Sequence, residues 1–208
     1  MRYLGSCIGM ILVIQFTVWA TSAQAEVFEE GVHYQELPGE RSDTAQIIEF
    51  FSLYCGSCYQ YQPFTAMIKD KWPGILTQQH VSSLTPSGFE RSVQEAWAAA
   101  RLLEVEQSFA ERVFDLNFVQ RRQVADQEQI YQVFNSLGIE RERVEQILSS
   151  FQVRSLVRQM QLQEERFGVR GTPTFIVNQK YMMDYRGFRD SEDFFADYLA
   201  LAEYLLNK

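Results

Sequence analysis

Cysteine is scarce in this chain, with three in 208 residues. Cys7 falls in a leader-like stretch, so the mature protein is expected to keep only Cys55 and Cys58. Two cysteines bracketing so short a loop cannot staple a scaffold, because closing the loop stabilises a chain by only about 2 kcal/mol. Histidine is scarcer still, at two residues. There is no second cysteine pair and no closely spaced histidine pair, so a zinc site on Cys55 and Cys58 would have to recruit His33, His80 or carboxylates. Basic residues are also in deficit, at 19 against 27 acidic for a net charge of −8. That balance argues against nucleic acid and against an anionic membrane face as partners. No apolar run reaches the roughly 20 residues that span a bilayer, and there is neither an internal repeat nor a low-complexity linker.

The first 25 residues read as an address. Arg2 gives a positive start, Ile8 to Trp19 form a short apolar core interrupted by Gln15 and Thr17, and Ala23-Gln24-Ala25 supplies a small-x-small cleavage site. Cys7 precedes the apolar core, the wrong place for a lipoprotein cysteine. Cleavage after Ala25 would remove one charged residue, Arg2, leaving 183 residues with 18 basic against 27 acidic side chains. That length suffices for one sizeable core or two small domains sharing a seam.

Downstream, Val32 to Leu37 alternates like a short strand and ends at Pro38-Gly39. Ala45 to Leu53 is an almost unbroken apolar run with β-branched and aromatic bias, as suits a strand buried on both faces. A helix is expected from Cys55 to about Lys71, with Tyr59, Phe64, Met67 and Ile68 inward, a kink at Pro63 and a stop at Trp72-Pro73-Gly74. Ile75 to Leu84 reads as another strand. After Thr85-Pro86-Ser87-Gly88 the pattern turns helical: Val93 to Val105, Gln107 to Phe118, Gln127 to Leu137, Arg141 to Phe151 and Val153 to Phe167. Asp126 and Gly138 stand where an N-cap and a C′ glycine belong. Strands return at Thr174 to Val177 and Tyr181 to Tyr185, and an amphipathic helix closes the chain from Ser191 to Leu206. Two β-rich segments around a helical block predict an α/β domain carrying an inserted all-helical domain.

The chemistry centres on Cys55-Gly56-Ser57-Cys58, directly after the buried strand. A thiol attacks only as thiolate, and the first turn of a helix, with its free N–H groups, favours the anion on Cys55. Cys58, one turn further in, is the expected resolving partner. Glu49 is out of place in an apolar strand, where an unpaired carboxylate is costly. It is either an edge or backbone-paired acid, or a buried acid that exchanges a proton with Cys58. Pro173, in Gly171-Thr172-Pro173-Thr174, lacks a ladder donor just before a strand. A cis peptide in a tight turn is one solution, and a trans proline at a strand start the other.

Ile48-Glu49-Phe50-Phe51-Ser52, the Cys55-to-Cys58 motif with Tyr59-Gln60, and Gly168 to Pro173 followed by Val177-Asn178 closely resemble the DsbA family of exported thiol:disulfide oxidoreductases. Gln94 to Ala98 and Phe151 to Val157 are similar as well, so the likeness covers essentially the whole mature chain in order. It implies a thioredoxin fold interrupted by a helical domain, with 1–25 as signal peptide, 26–86 and 161–208 as the two parts of the thioredoxin domain, and 87–160 as the insert. It implies a cis-Pro173 beside Cys55, with Thr172 offering backbone groups to an extended substrate, and Gly56 and Ser57 meeting that substrate too. Some of Tyr54, Tyr59, Tyr61 and Phe64 would line its groove. The redox group is the Cys55–Cys58 pair itself, with no metal or organic cofactor. The partners implied are reduced or unfolded exported proteins and a membrane-bound protein that reoxidises a monomeric periplasmic enzyme.

The departures point to a weaker oxidant. Gly56 and Ser57 replace a proline and a histidine that helps hold the thiolate, Gln78 replaces a basic residue near the buried acid, and Thr172 suits the isomerase and reductase branches. A periplasmic reductase or isomerase of the same fold is therefore the alternative, although no dimerisation module supports an isomerase. A non-catalytic metal-binding or chaperone module is the third reading.

Overall fold

A computed structural model describes residues 28–82 and 84–208. The expected signal peptide, residues 1–25 with Cys7, lies outside the described residues. Five strands make one mixed sheet: β1 (Tyr34–Glu36), β2 (Ile47–Phe51), β3 (Leu76–His80), β4 (Thr174–Val177) and β5 (Tyr181–Met183). Their spatial order is β1-β5-β4-β2-β3. β2 runs parallel to β3 and antiparallel to β4. All five of its residues are buried, as a strand apolar on both faces requires.

Alternation along β2 divides the core. Ile47 packs with Phe64, Ile68, Phe175 and Leu201 under α2 (Gln62–Lys71) and α8 (Phe194–Asn207). Ile48 and Phe50 join Val81, Phe167 and Ile176 on the opposite face. Glu49 therefore shares the face of Ile47. The short α1 (Gly56–Gln60) precedes α2 and is separated from it at Tyr61. Pro63 sits in the first turn of α2, where its missing N–H costs no hydrogen bond. The expected single helix is thus two, and the break changes the helical phase. Tyr59, expected inward with Phe64, Met67 and Ile68, is 38 % exposed, since at 100° per residue even a straight helix carries it about 140° round from Phe64.

Between β3 and β4 the chain runs through α3 (Glu90–Leu102), α4 (Glu106–Phe114), α5 (Gln127–Ser136), α6 (Arg141–Leu148) and α7 (Phe151–Arg166). α3 is the hub. Its buried Val93 and Ala96 to Ala100 let α4, α6 and α7 approach closely. Asp126 accepts from the Gln129 N–H in a full capping box, and Gly138 has φ +79° just past α5, as their positions in the sequence imply. α7 runs unbroken through 160, the residue at which the sequence placed the end of the helical insert.

β3 is an edge strand and stops at His80, paired to the last residue of β2, rather than continuing to Leu84. Its free side is met by α3: Trp97 Nε1 donates to the Gln78 carbonyl at 3.2 Å and Gln94 Nε2 to the His80 carbonyl at 3.0 Å. The helical block thereby covers an edge that would otherwise expose unpaired backbone groups. The expected helix Gln107–Phe118 also ends early, because from Asp115 to Val119 the chain widens into a π turn.

Candidate active site

β2 delivers the chain to Cys55 through a three-residue turn in which the Cys55 N–H donates to the Ser52 carbonyl at 3.0 Å. Cys55 is the N-cap of α1, with extended φ −97° and ψ 115°. Its Sγ accepts from the Cys58 N–H at 3.2 Å, and as a thiol it donates to the Thr172 carbonyl at 3.4 Å. Both cysteines are free thiols. Cys58 is fully buried and Cys55 keeps 4 % of its surface, bordered by exposed Gly56 and Ser57. The Thr172–Pro173 peptide is cis.

The two thiols are driven apart. Cys55 is pulled down to about 6, first by the Cys58 side chain, with Thr172 and the backbone at Cys58 and Ser57 assisting against burial. The leading causes that lower it are hydrogen bonds from neutral groups. Burial pushes the Cys58 thiol well up, and its bond to Cys55 and the nearby Glu49 charge add to this. A nucleophile and a proton-retaining partner result.

Glu49 is fully buried. Paired in register with Gln78 on β3, it accepts from Gln78 Nε2 at 2.8 Å through one carboxylate oxygen. The other oxygen, Oε1, has no partner among the described residues. Burial raises this carboxyl to about 7, against the opposing pull of Gln78 and of Lys69. Of the two readings of Glu49, the edge or backbone-paired acid is excluded, since β2 is central and the partner is a side chain.

The structure brings Cys55, Cys58 and Thr172 into direct contact and places Glu49 in the field of both cysteines. It does not bring the two histidines to the cysteines as ligands. His33 packs between Phe28 and Phe188, and its Nδ1 accepts from the Glu29 N–H. His80 Nε2 accepts from the Leu53 N–H at 3.1 Å. Among the described residues no three His, Cys, Asp or Glu side chains gather in a ligating group.

Several neighbours had no signal in the sequence. Phe118, on the π turn, stacks on Tyr59 at 5.4 Å between centroids, and its ring stands 3.8 Å from where a Gly56 Cβ would be. Asn117 beside it bonds to the Leu53 carbonyl. Buried His80 is pulled down to about 3 by burial and stays neutral. Of the four aromatics, Tyr54 and Phe64 are core residues, Tyr61 is partly buried against the core under α2 and α8, and Tyr59 is exposed.

The family model for DSBA-like thioredoxin domains matches residues 46–200. The chain belongs to this family. The curated thiol:disulfide interchange protein DsbA of Pectobacterium carotovorum is 34 % identical over 199 residues, covering 92 % of this chain and 94 % of that protein. The protein of the same name from Yersinia pestis is 35 % identical over the same shares. Among solved structures, DsbA from Klebsiella pneumoniae superposes with a TM-score of 0.77 at 29 % identity, covering 88 % of this chain and all of the other. A Proteus mirabilis DsbA with a non-covalently bound peptide gives 0.78 at 26 % identity, over 88 % of this chain and all of the other. The fold is the thioredoxin-like α/β fold of this family, with helices α3 to α7 between its two β-rich parts.

Proposed function

We propose that this member of the family introduces disulfides into exported proteins in the periplasm, with Cys55 as nucleophile, Cys58 as resolving thiol and Glu49 as proton carrier. The chain is a thiol:disulfide oxidoreductase, as its family and its relatives' activity imply. The observation that carries the assignment of roles is the splitting of the two thiols, one held down by hydrogen bonds and the other pushed up by burial.

In the oxidising direction a substrate thiolate attacks Cys55 Sγ of the Cys55–Cys58 disulfide. The disulfide breaks, a mixed disulfide forms, and Cys58 leaves as a thiolate that takes a proton from the Glu49 carboxyl. A second substrate thiolate attacks the substrate sulfur of the mixed disulfide, and Cys55 leaves as the hydrogen-bonded thiolate. The substrate loses two electrons and the cysteine pair gains them. Thr172 and Pro173, beside Cys55, position the substrate backbone, and exposed Gly56 and Ser57 border its approach. A peptide bound non-covalently to the Proteus mirabilis relative supports a polypeptide as substrate. The pair is itself the redox group, so the cycle needs no added cofactor, only a membrane-bound partner to reoxidise it. We take residues 87–160 as a helical domain inserted into a thioredoxin domain formed by 26–86 and 161–208, acting as a monomer after loss of residues 1–25.

A reductase or isomerase role is the second reading, favoured by a thiolate held chiefly by neutral hydrogen-bonding groups. Incubating the oxidised protein with a reduced, unfolded disulfide protein separates the two. Net formation of substrate disulfides, abolished by Cys55→Ala, is expected. Activity unaffected by Cys55→Ala would defeat the enzyme reading, and a glutathione equilibrium giving a potential as low as thioredoxin's, about −270 mV, would defeat the oxidase reading.

A further inference from the structure

The turn that carries Cys55 is held from both parts of the molecule. Leu53, fully buried two residues before the nucleophile, has its N–H on His80 Nε2 at 3.1 Å and its carbonyl on Asn117 Nδ2 at 2.9 Å. Asn117 turns its other end back into the helical block, where Oδ1 accepts from the Val124 N–H at 2.9 Å. The Val124 carbonyl in turn accepts from the Tyr54 hydroxyl at 2.7 Å. One amide thus satisfies a carbonyl of the Cys55 turn and an N–H of the insert, and only one orientation of that amide can do both.

The π turn makes this reach possible. Its wider hydrogen bond, from the Gln120 N–H to the Asp115 carbonyl at 2.9 Å, absorbs one extra residue. An extra residue rotates the downstream side chains by about 100° relative to a regular helix. The consecutive Asn117 and Phe118 then both meet the first domain, Asn117 on Leu53 and Phe118 on Tyr59 beside Gly56.

We infer that Asn117 is a positioning residue for the nucleophile: through its bond to the Leu53 carbonyl, opposed by His80 on the same residue, the helical insert sets where Cys55 stands relative to the N–H of Cys58 and to Thr172. This rests on Cys55 being the reactive thiol. Without the amide, the buried Leu53 carbonyl has no partner and the turn shifts to find one. The 3.2 Å contact from the Cys58 N–H to Cys55 Sγ is the first to suffer, since it caps a helix of only five residues.

The test compares Asn117→Ala and Asn117→Leu in the full-length protein with Val144→Ala, which loosens the insert's core on α6 away from the turn. The pH midpoint of thiolate absorbance, the equilibrium constant with glutathione and the melting temperature are read for each. Both Asn117 variants should raise the thiolate midpoint by about half a unit or more, and shift the glutathione equilibrium about threefold toward the disulfide form. Val144→Ala should lower the melting temperature and leave the other two readings unmoved. Asn117 variants that melt lower yet titrate as the parent would reduce the residue to a structural contact, and so would a Val144→Ala that shifts the midpoint equally. If neither Asn117 variant folds, Asn117→Ser decides, because it keeps a polar side chain but is too short to reach the Leu53 carbonyl: an unmoved midpoint overturns the inference. A parent protein that fails to exchange with glutathione at all would instead sink the proposed function, and the midpoints would still judge Asn117.

Discussion

Buried or half-shielded groups at the site titrate away from their ordinary values, and the direction of each says what pH does to the molecule. Glu49 is raised from 4.5 to about 7. Its contribution to stability is complete below about 4.5 and is lost as pH rises through about 7. Glu49→Gln should therefore gain in melting temperature over the parent as pH climbs through that window, and calorimetry across pH 4 to 9 checks it. The same substitution removes the proton carrier. Turnover should fall by about tenfold or more with little change in KM, and equal loss in both constants would mark a merely structural acid. Cys55 moves the other way. Depressed to about 6, it stabilises the reduced protein at high pH, and that benefit fades as pH falls through about 6. Thiolate absorbance should accordingly give a midpoint below the free-thiol value of about 8.5, yet above the value near 3.5 of the most acidic thiols of this class. His80 is depressed to about 3 by burial, so its share is present above its ordinary value of 6.5 and is lost as acid forces a charge onto it.

Among the elements, the helical block is built so that its own stability and the tuning of the thiol separate, except at one turn. α5 is held at its start by the Asp126–Gln129 capping box, whose bonds stay within residues 125–129 and do not include Asn117 or Leu53. Asp126→Ala should cost about 1 kcal/mol, a drop of about 2–4 °C in melting temperature for a chain of this size, with no change in the Cys55 midpoint. A midpoint that moved with it would mean that the whole block, and not its contact with the Leu53 turn, governs the thiolate. α3 works differently. Trp97 joins the insert to the edge of β3 through its ring nitrogen and packs its ring on Phe51 at 4.9 Å, at the end of the strand that leads to Cys55. Its loss would open both a cavity and a sheet edge.

At the scale of the whole molecule, the stability of the dithiol form relative to the disulfide form is the redox potential in other units. A thiolate stabilised only in the reduced state makes that state the more stable one. The reduced protein should melt above the oxidised protein at pH 7, with the gap narrowing as pH falls through about 6. Because neutral hydrogen-bonding groups chiefly hold the anion, the potential should lie between thioredoxin's, about −270 mV, and the value near −120 mV of the strongest oxidants of the class. Redox equilibration with glutathione measures it directly.

What the sequence determined by itself is local or one-dimensional. The continuous apolar run of β2, the cysteine pair after it, the Asp126 cap and the change to helical period beyond Gly88 are written in adjacent residues, and the fold keeps each of them in place. The family's motifs, in order along the chain, carried the fold. Other features depended on meetings between distant segments, and no pattern in one chain encodes such a meeting. Tyr59 lay outside the core, against Phe118 of the π turn, and β3 ended at His80 because β2 offered no further partner. The neutrality of His80, the half-satisfied Glu49 and the hold of Asn117 on Leu53 exist only once residues 27 to 64 positions apart are brought within 3.1 Å. Residue types choose the chemistry, but desolvation and hydrogen-bond geometry set its strength, and both are properties of packing.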